Sequence, residues 1–205
     1  MSKAIIFAGS NAPSLLPRGI IAADHFVCAA DSGYDTAKKL GVNVDLVIGD
    51  FDSTDRLQDI ERLPHLRLDR DKADSDTEVA LKQALGRGCT EWILIGGGEG
   101  RYDHLLSIQT LFLRYLPPVA WYTRCESLYR VDDMRTFSQL TVDTTVAIVP
   151  AVSTGRSLIS TKGLHWDVRD YLIDATQISL SNRCAQEEVV IRVTGDPVFF
   201  SIIAV

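Results

Sequence analysis

Leu46-Val47-Ile48-Gly49-Asp50-Phe51-Asp52-Ser53 runs three aliphatic residues straight into a glycine and two aspartates. Consecutive apolar residues, two of them β-branched, suit a strand covered on both faces, as in a parallel sheet. The change to Gly-Asp-Phe-Asp marks the strand's C-terminal end as the place where polar groups are delivered. The same pattern recurs on either side. Upstream, apolar residues 4–8 open the chain, and Phe26–Ala30 runs into Asp31-Ser32-Gly33. Downstream, residues 65–68 run into the acidic stretch 69–76, 92–95 into the glycine run 96–100, and 119–123 into Arg124.

Helix-like segments separate these runs. Residues 34–40 stop at Gly41, and 76–85 carry Val79, Ala80, Ala84 and Leu85 at helical spacing before Gly86. Residues 102–116 carry Leu105, Ile108, Leu111 and Phe112 and stop at Pro117-Pro118. Strand–helix alternation of this kind predicts an α/β fold with a doubly wound parallel sheet over residues 1–125. From residue 126 the pattern changes to short alternating runs at 128–131, 135–140, 145–149, 177–180, 188–193 and 198–204, with no helix between them. Residues 126–205 are therefore expected to form a small antiparallel β-sandwich domain.

In a parallel sheet every strand C-terminus lies on one edge, so five polar segments converge on one crevice, the usual ligand site of open α/β sheets. Asp50 and Asp52 are two residues apart; if the strand continues, both point to the same side. Adjacent carboxylates repel unless a cation or a proton intervenes, and Mg²⁺ favours carboxylates combined with phosphate oxygens. The alternative is a solvated acidic turn in which Asp52 or Ser53 caps the next helix. Asp31, Asp74 and Asp76 at the same edge favour the metal reading. The glycine run lets a backbone approach a ligand, and the helix that follows offers N–H groups to an anion. Arg101 suits a phosphate or a surface ion pair, and Asp103 suits a metal or a helix cap. Ser53, Lys72 and Arg124, on the same edge, complete the expected nucleotide contacts. No P-loop or GxGxxG fingerprint is present. Beyond residue 126, Trp166 in Gly163-Leu164-His165-Trp166 can stack on a flat heterocycle or cover the sandwich core, and Ser181-Asn182 can end a strand in a turn.

With 27 acidic and 21 basic residues in 205, the net charge of −6 argues against nucleic-acid and anionic-membrane partners. No apolar run approaches the length of a membrane span, and no signal peptide is apparent. The four cysteines lack CxxC spacing and read as reduced thiols of a cytoplasmic chain.

Taken in order, Ala30–Gly33, Gly49–Ser53, Ser75–Leu81, Gly100–His104, Gly163–Trp166 and Ser181-Asn182 resemble the motifs of the thiamine pyrophosphokinase family over nearly the whole chain. Ser32 and Ser75 stand where that family usually has glycine and threonine, and 169–176 matches poorly. The resemblance implies pyrophosphoryl transfer from ATP to thiamine by a homodimer. It implies Mg²⁺ on Asp50, Asp52 and Asp76, and nucleotide and phosphate contacts from Asp31, Arg101 and Asp103. It further implies thiamine contacts from Trp166, Ser181 and Asn182, with Trp166 stacking across the dimer interface. A nucleotide-sugar transferase shares the paired carboxylates, a pterin pyrophosphokinase has a related α/β domain, and a non-catalytic thiamine or nucleotide sensor is a reading from another class. The two C-terminal motifs favour thiamine, and the retained carboxylate set favours catalysis.

Overall fold

The structure, a computed structural model, describes residues 3–203 apart from Ser10, Ser53 and Asp55. Its chain contacts divide into two units. One runs to Ile108 and includes Trp121–Arg124; the other comprises Gln109–Ala120 and the chain from Cys125.

The first unit contains β1 (Lys3–Phe7), β2 (Phe26–Ala30), α1 (Gly33–Lys39), β3 (Leu46–Gly49), α2 (Leu57–Ile60), β4 (His65–Arg67), α3 (Asp76–Gly86) and β5 (Glu91–Ile95). It also holds the first half of α4 (Tyr102–Arg114) and most of β6 (Ala120–Tyr122). Its strands lie in the order β4-β3-β2-β1-β5-β6. The pairs β1/β2, β1/β5, β2/β3 and β3/β4 are all parallel. The chain winds outward from β1 to β4, then returns to place β5 on the other side of β1. That reversal is a topological switch point, where the loops after β1 and β5 diverge and leave a crevice. The central strands are dry: Ile5, Ile6, Phe7, Ile48, Leu94 and Ile95 are fully buried, as strands covered on both faces must be.

β4 departs from the expectation of burial on both faces. It pairs only with β3, and His65 and Arg67 on it are exposed. The four-residue α2 was not anticipated either, and it buries a single side chain, Ile60. Helix α3 starts where the sequence suggests, because the Ser75 hydroxyl accepts the Glu78 N–H at 3.2 Å.

The second unit contains β7 (Glu126–Val131), β8 (Met134–Phe137), β9 (Thr145–Pro150), β10 (Ser157–Lys162), β11 (Tyr171–Ile173), β12 (Ser179–Arg183), β13 (Val189–Gly195) and β14 (Val198–Ile203). Strands β12-β9-β14-β7 form one antiparallel layer and β11-β10-β13-β8 the other. Both layers send apolar side chains into one core: Val146, Ile148 and Phe200 from the first, Ile159, Ile191 and Val193 from the second. This is the sandwich the alternating runs predict. Among the described residues no helix is long and apolar enough to cross a membrane.

Candidate active site

Strand β3 stops at Gly49, so the pleat does not align the paired aspartates. Phe51 takes a left-handed conformation with φ of 62°, uncommon for an aromatic residue. The chain turns there, and Asp50 Oδ1 accepts the Asp52 N–H at 3.2 Å. Strand β4 holds this turn. Phe51 is buried, with the Arg67 guanidinium 4.9 Å from its ring centroid, and Arg67 also donates to the Asp50 carbonyl at 3.2 Å. Asp31, at the end of β2, is left-handed as well (φ 48°). Gly49 lets it come close: a Cβ there would lie 3.1 Å from the Asp31 Cβ.

As a result Asp31, Asp50 and Asp52 each offer a carboxylate oxygen, and the three oxygens lie within 4.8 Å of one another. Arg70 pairs with Asp52 at 2.8 Å. Asp76, at the start of α3, pairs with Lys72 at 2.8 Å. Burial works against the Lys72 charge. The hydrogen bond to Asp76, and the negative charges of Asp76, Asp50 and Asp31, outweigh it and hold the ammonium above its ordinary range. Lys72 therefore shares one electrostatic environment with three of the aspartates.

A cleft of about 390 Å³ opens at this edge, lined by Gly9, Asp31, Ser32, Asp76, Gly97 and Asp103, among others. It lies where the loops after β1 and β5 part. The glycine run reaches it in the conformations the sequence suggests, with φ of 84°, 74° and 102° at Gly96, Gly97 and Gly100. Arg101 is exposed and paired with Asp103 through two contacts, Nε–Oδ1 at 3.1 Å and a second at 2.5 Å. That pairing holds the Asp103 carboxyl below its ordinary range. Asp103 Oδ1 also accepts the His104 N–H at 3.1 Å, so Asp103 acts as a local cap as well. Arg124 pairs with Glu99 at 2.8 Å, and Glu99 accepts from Asn11 at 3.0 Å. Ser53 lies outside the described residues.

In the second unit Trp166 is 58% exposed, so it does not cover the sandwich core. Asn182 is buried: its Oδ1 accepts the Trp166 N–H at 3.2 Å and its Nδ2 donates to the Trp166 carbonyl at 2.9 Å. Ser181 is left-handed (φ 54°), at a register irregularity between β12 and β9. The two C-terminal motifs, 15 or more residues apart in the chain, therefore meet.

Two comparisons with known proteins bear on this arrangement. Residues 18–118 match the family described as thiamin pyrophosphokinase, catalytic domain, and residues 136–198 match thiamin pyrophosphokinase, vitamin B1 binding domain. The chain belongs to the thiamin pyrophosphokinase family. Solved structures share its fold. A thiamine pyrophosphokinase from Bacillus subtilis, 17% identical, aligns over 100% of both chains with a TM-score of 0.78. A thiamin pyrophosphokinase family protein from Enterococcus faecalis, 18% identical, aligns over 100% of this chain and 99% of its own, with a TM-score of 0.76. The thiamin pyrophosphokinase from Candida albicans, 14% identical, aligns over 98% and 90%, with a TM-score of 0.68. No curated protein sequence matches the chain.

As a thiamin pyrophosphokinase family enzyme, the chain is a diphosphotransferase that converts thiamine and ATP to thiamine diphosphate and AMP. The catalytic match contains Asp31, Asp50, Asp52, Lys72, Asp76, Arg101 and Asp103; the vitamin B1 match contains Trp166, Ser181 and Asn182. Reading the sequence overlooks Arg67, Arg70 and Asp167. The first two sit on or just after an edge strand and touch the paired aspartates. A basic residue following the fourth apolar run was the available signal. Asp167, next to Trp166, bonds the turn before it.

Proposed function

We propose that the carboxylates at the C-terminal edge of the parallel sheet hold the Mg²⁺–ATP complex for this transfer, with Asp50, Asp52 and Asp76 as metal ligands and Asp31 beside them. The observation that carries the reading is the approach of the Asp31, Asp50 and Asp52 oxygens to within 4.8 Å of one another beyond the C-terminal ends of β2 and β3. Asp76 is not one of those three and is linked to them through Lys72, whose ammonium feels Asp76, Asp50 and Asp31 together. The donor set suits the ion: it is all carboxylate oxygen, without thiol or imidazole, as a hard divalent cation requires. When bound there, Mg²⁺ supplies charge neutralisation to the phosphates.

The chain's own groups then do positioning and charge work. Lys72, held protonated by its acidic neighbours, is a fixed positive charge for the phosphates. Gly97 brings its backbone to the cleft without a side chain in the way. Arg101 and Arg124 are exposed and exchangeable: their partners Asp103 and Glu99 release them at small cost, because surface pairs contribute little. In the transfer, the thiamine hydroxyl oxygen bonds to the β-phosphorus and gives up its proton to water, the bond from that phosphorus to the bridging oxygen of the α-phosphate breaks, and AMP departs with the electron pair. Catalysis of this kind rests on orientation and electrostatics.

Trp166, Ser181 and Asn182 form the thiamine-recognition region in this reading, which the exposure of the indole supports. Residues 1–125 carry catalysis and 126–205 vitamin binding. The working form is a homodimer, a reading supported by the exposed apolar side chains Trp166, Ile178 and Leu180 in the second unit; sedimentation of a monomer under assay conditions would overturn it. The placement is cytoplasmic, in keeping with the acidic composition and the buried Cys28, Cys89 and Cys184. The metal reading is tested by titrating wild type and Asp50→Asn with Mg²⁺ and ATP in a calorimeter. Wild type should bind ATP far more tightly with Mg²⁺ than without, and the variant should lose that difference. An equal Mg²⁺ effect in both would remove Asp50 from the metal site.

A further inference from the structure

The turn that presents Trp166 is fastened by two side chains, Asp167 and Asn182, that bond mainly to backbone. Asp167 Oδ2 accepts the Gly163 N–H at 3.1 Å; its Oδ1 accepts the Leu164 N–H at 3.1 Å and the Thr161 hydroxyl at 3.0 Å. Asn182, from the facing strand, bonds both backbone groups of Trp166 and also accepts the Arg183 N–H at 2.8 Å. The register irregularity that precedes Asn182 in β12 is the kind of feature that re-aims a side chain, and here Asn182 is buried, 6% exposed. A buried carboxamide with both ends committed to backbone is poorly placed to reach a ligand.

The outcome is a main chain fixed at Trp166 under an indole that is mostly uncovered. The Arg183 guanidinium lies 5.7 Å from the ring centroid and the His165 ring 6.1 Å away. An aromatic platform whose backbone is already ordered binds a flat ligand without the cost of ordering it on contact.

We infer that Asn182 and Asp167 are positioning residues for the heterocyclic substrate, acting through Trp166 and not by touching the ligand. This rests on the reading that Trp166 stacks on thiamine. Asn182 is thereby given a different task from the ligand contact that the family resemblance implies.

The test compares Asn182→Asp, Asp167→Ala, Asp167→Asn and Trp166→Ala. Asn182→Asp keeps both accepted bonds and turns the donor facing the Trp166 carbonyl into an acceptor. Steady-state kinetics should show the thiamine KM raised roughly tenfold in Asn182→Asp and Asp167→Ala, the size of one lost aromatic contact. The ATP KM and kcat at saturating thiamine should stay within about twofold, the pattern of lost ground-state binding. Asp167→Asn, which keeps one acceptor oxygen, should recover part of the loss. In the wild type, hydrogen exchange should show the Trp166 amide protected. An unprotected Trp166 amide overturns the inference whatever the variants do. So does an unchanged thiamine KM in Asn182→Asp and Asp167→Ala when Trp166→Ala raises it. An unchanged thiamine KM in Trp166→Ala itself would instead remove the stacking reading beneath it.

Discussion

Asp50 and Asp52 face each other across one buried residue: Asp50 Oδ1 accepts the Asp52 N–H at 3.2 Å while Phe51 between them is left-handed. A turn, and not the pleat of a strand, gathers the carboxylates. Without a cation they repel one another and Asp31. Asp50→Asn keeps the accepting Oδ1 and removes a charge, so without Mg²⁺ its melting temperature should rise by about 2 °C. Its turnover should fall roughly 10³-fold. Thermal melts with and without Mg²⁺, run beside an activity assay, check both halves.

Arg67 is the staple of that turn, through Phe51 and the Asp50 carbonyl. Arg67→Ala should lower stability by only about 1 kcal/mol. It should lower kcat roughly tenfold, because misplaced catalytic groups cost more in rate than in stability. Urea melts and kcat at saturating Mg²⁺ separate the two effects.

Gly163 combines a φ of 98° with a backbone packed so closely that a Cβ would lie 2.2 Å from the Glu188 carbonyl oxygen. Gly163→Ala should therefore cost roughly 2–3 kcal/mol. Gly41 has a φ of 71° and nothing within 4 Å of an added Cβ, so Gly41→Ala should cost only about 1 kcal/mol. Paired denaturant melts measure the difference between strain alone and strain with a clash.

Arg101 holds Asp103 ionised to lower pH than usual. A carboxyl whose folded-state value is depressed adds stability above its ordinary value of 3.8, and that contribution disappears as pH falls through the folded value. The melting-temperature difference between wild type and Asp103→Asn should be constant at neutral pH and narrow below about pH 4. Because the pair is exposed, salt should shrink it.

The sequence is most legible where physics is local. Phe26–Ala30 is an unbroken apolar run and forms β2 over those residues. Ser75 precedes a helical pattern with Glu78 three residues on, and α3 begins there. β10 was not anticipated, and its burial explains why: Ser157 and Ile159 are buried while Leu158 between them is exposed, so polar and apolar residues do not alternate with burial as a strand signal requires. β11 is three residues long, too short for any period. At the site, the convergence of polar segments followed from strand order alone. The means of convergence did not, since a left-handed Phe51 leaves no trace in composition, and the partners Arg67, Arg70 and Asp167 are set by tertiary contacts.

The central claim is that the aspartates gathered at the strand ends run Mg²⁺-dependent pyrophosphoryl transfer to thiamine. Phosphorus-31 NMR of wild type and Asp50→Asn with ATP, Mg²⁺ and thiamine tests it most directly. AMP and thiamine diphosphate should appear together with wild type, and with neither the variant nor the metal-free sample. Intact ATP with wild type, ADP in place of AMP, or a wild-type rate from Asp50→Asn would contradict it.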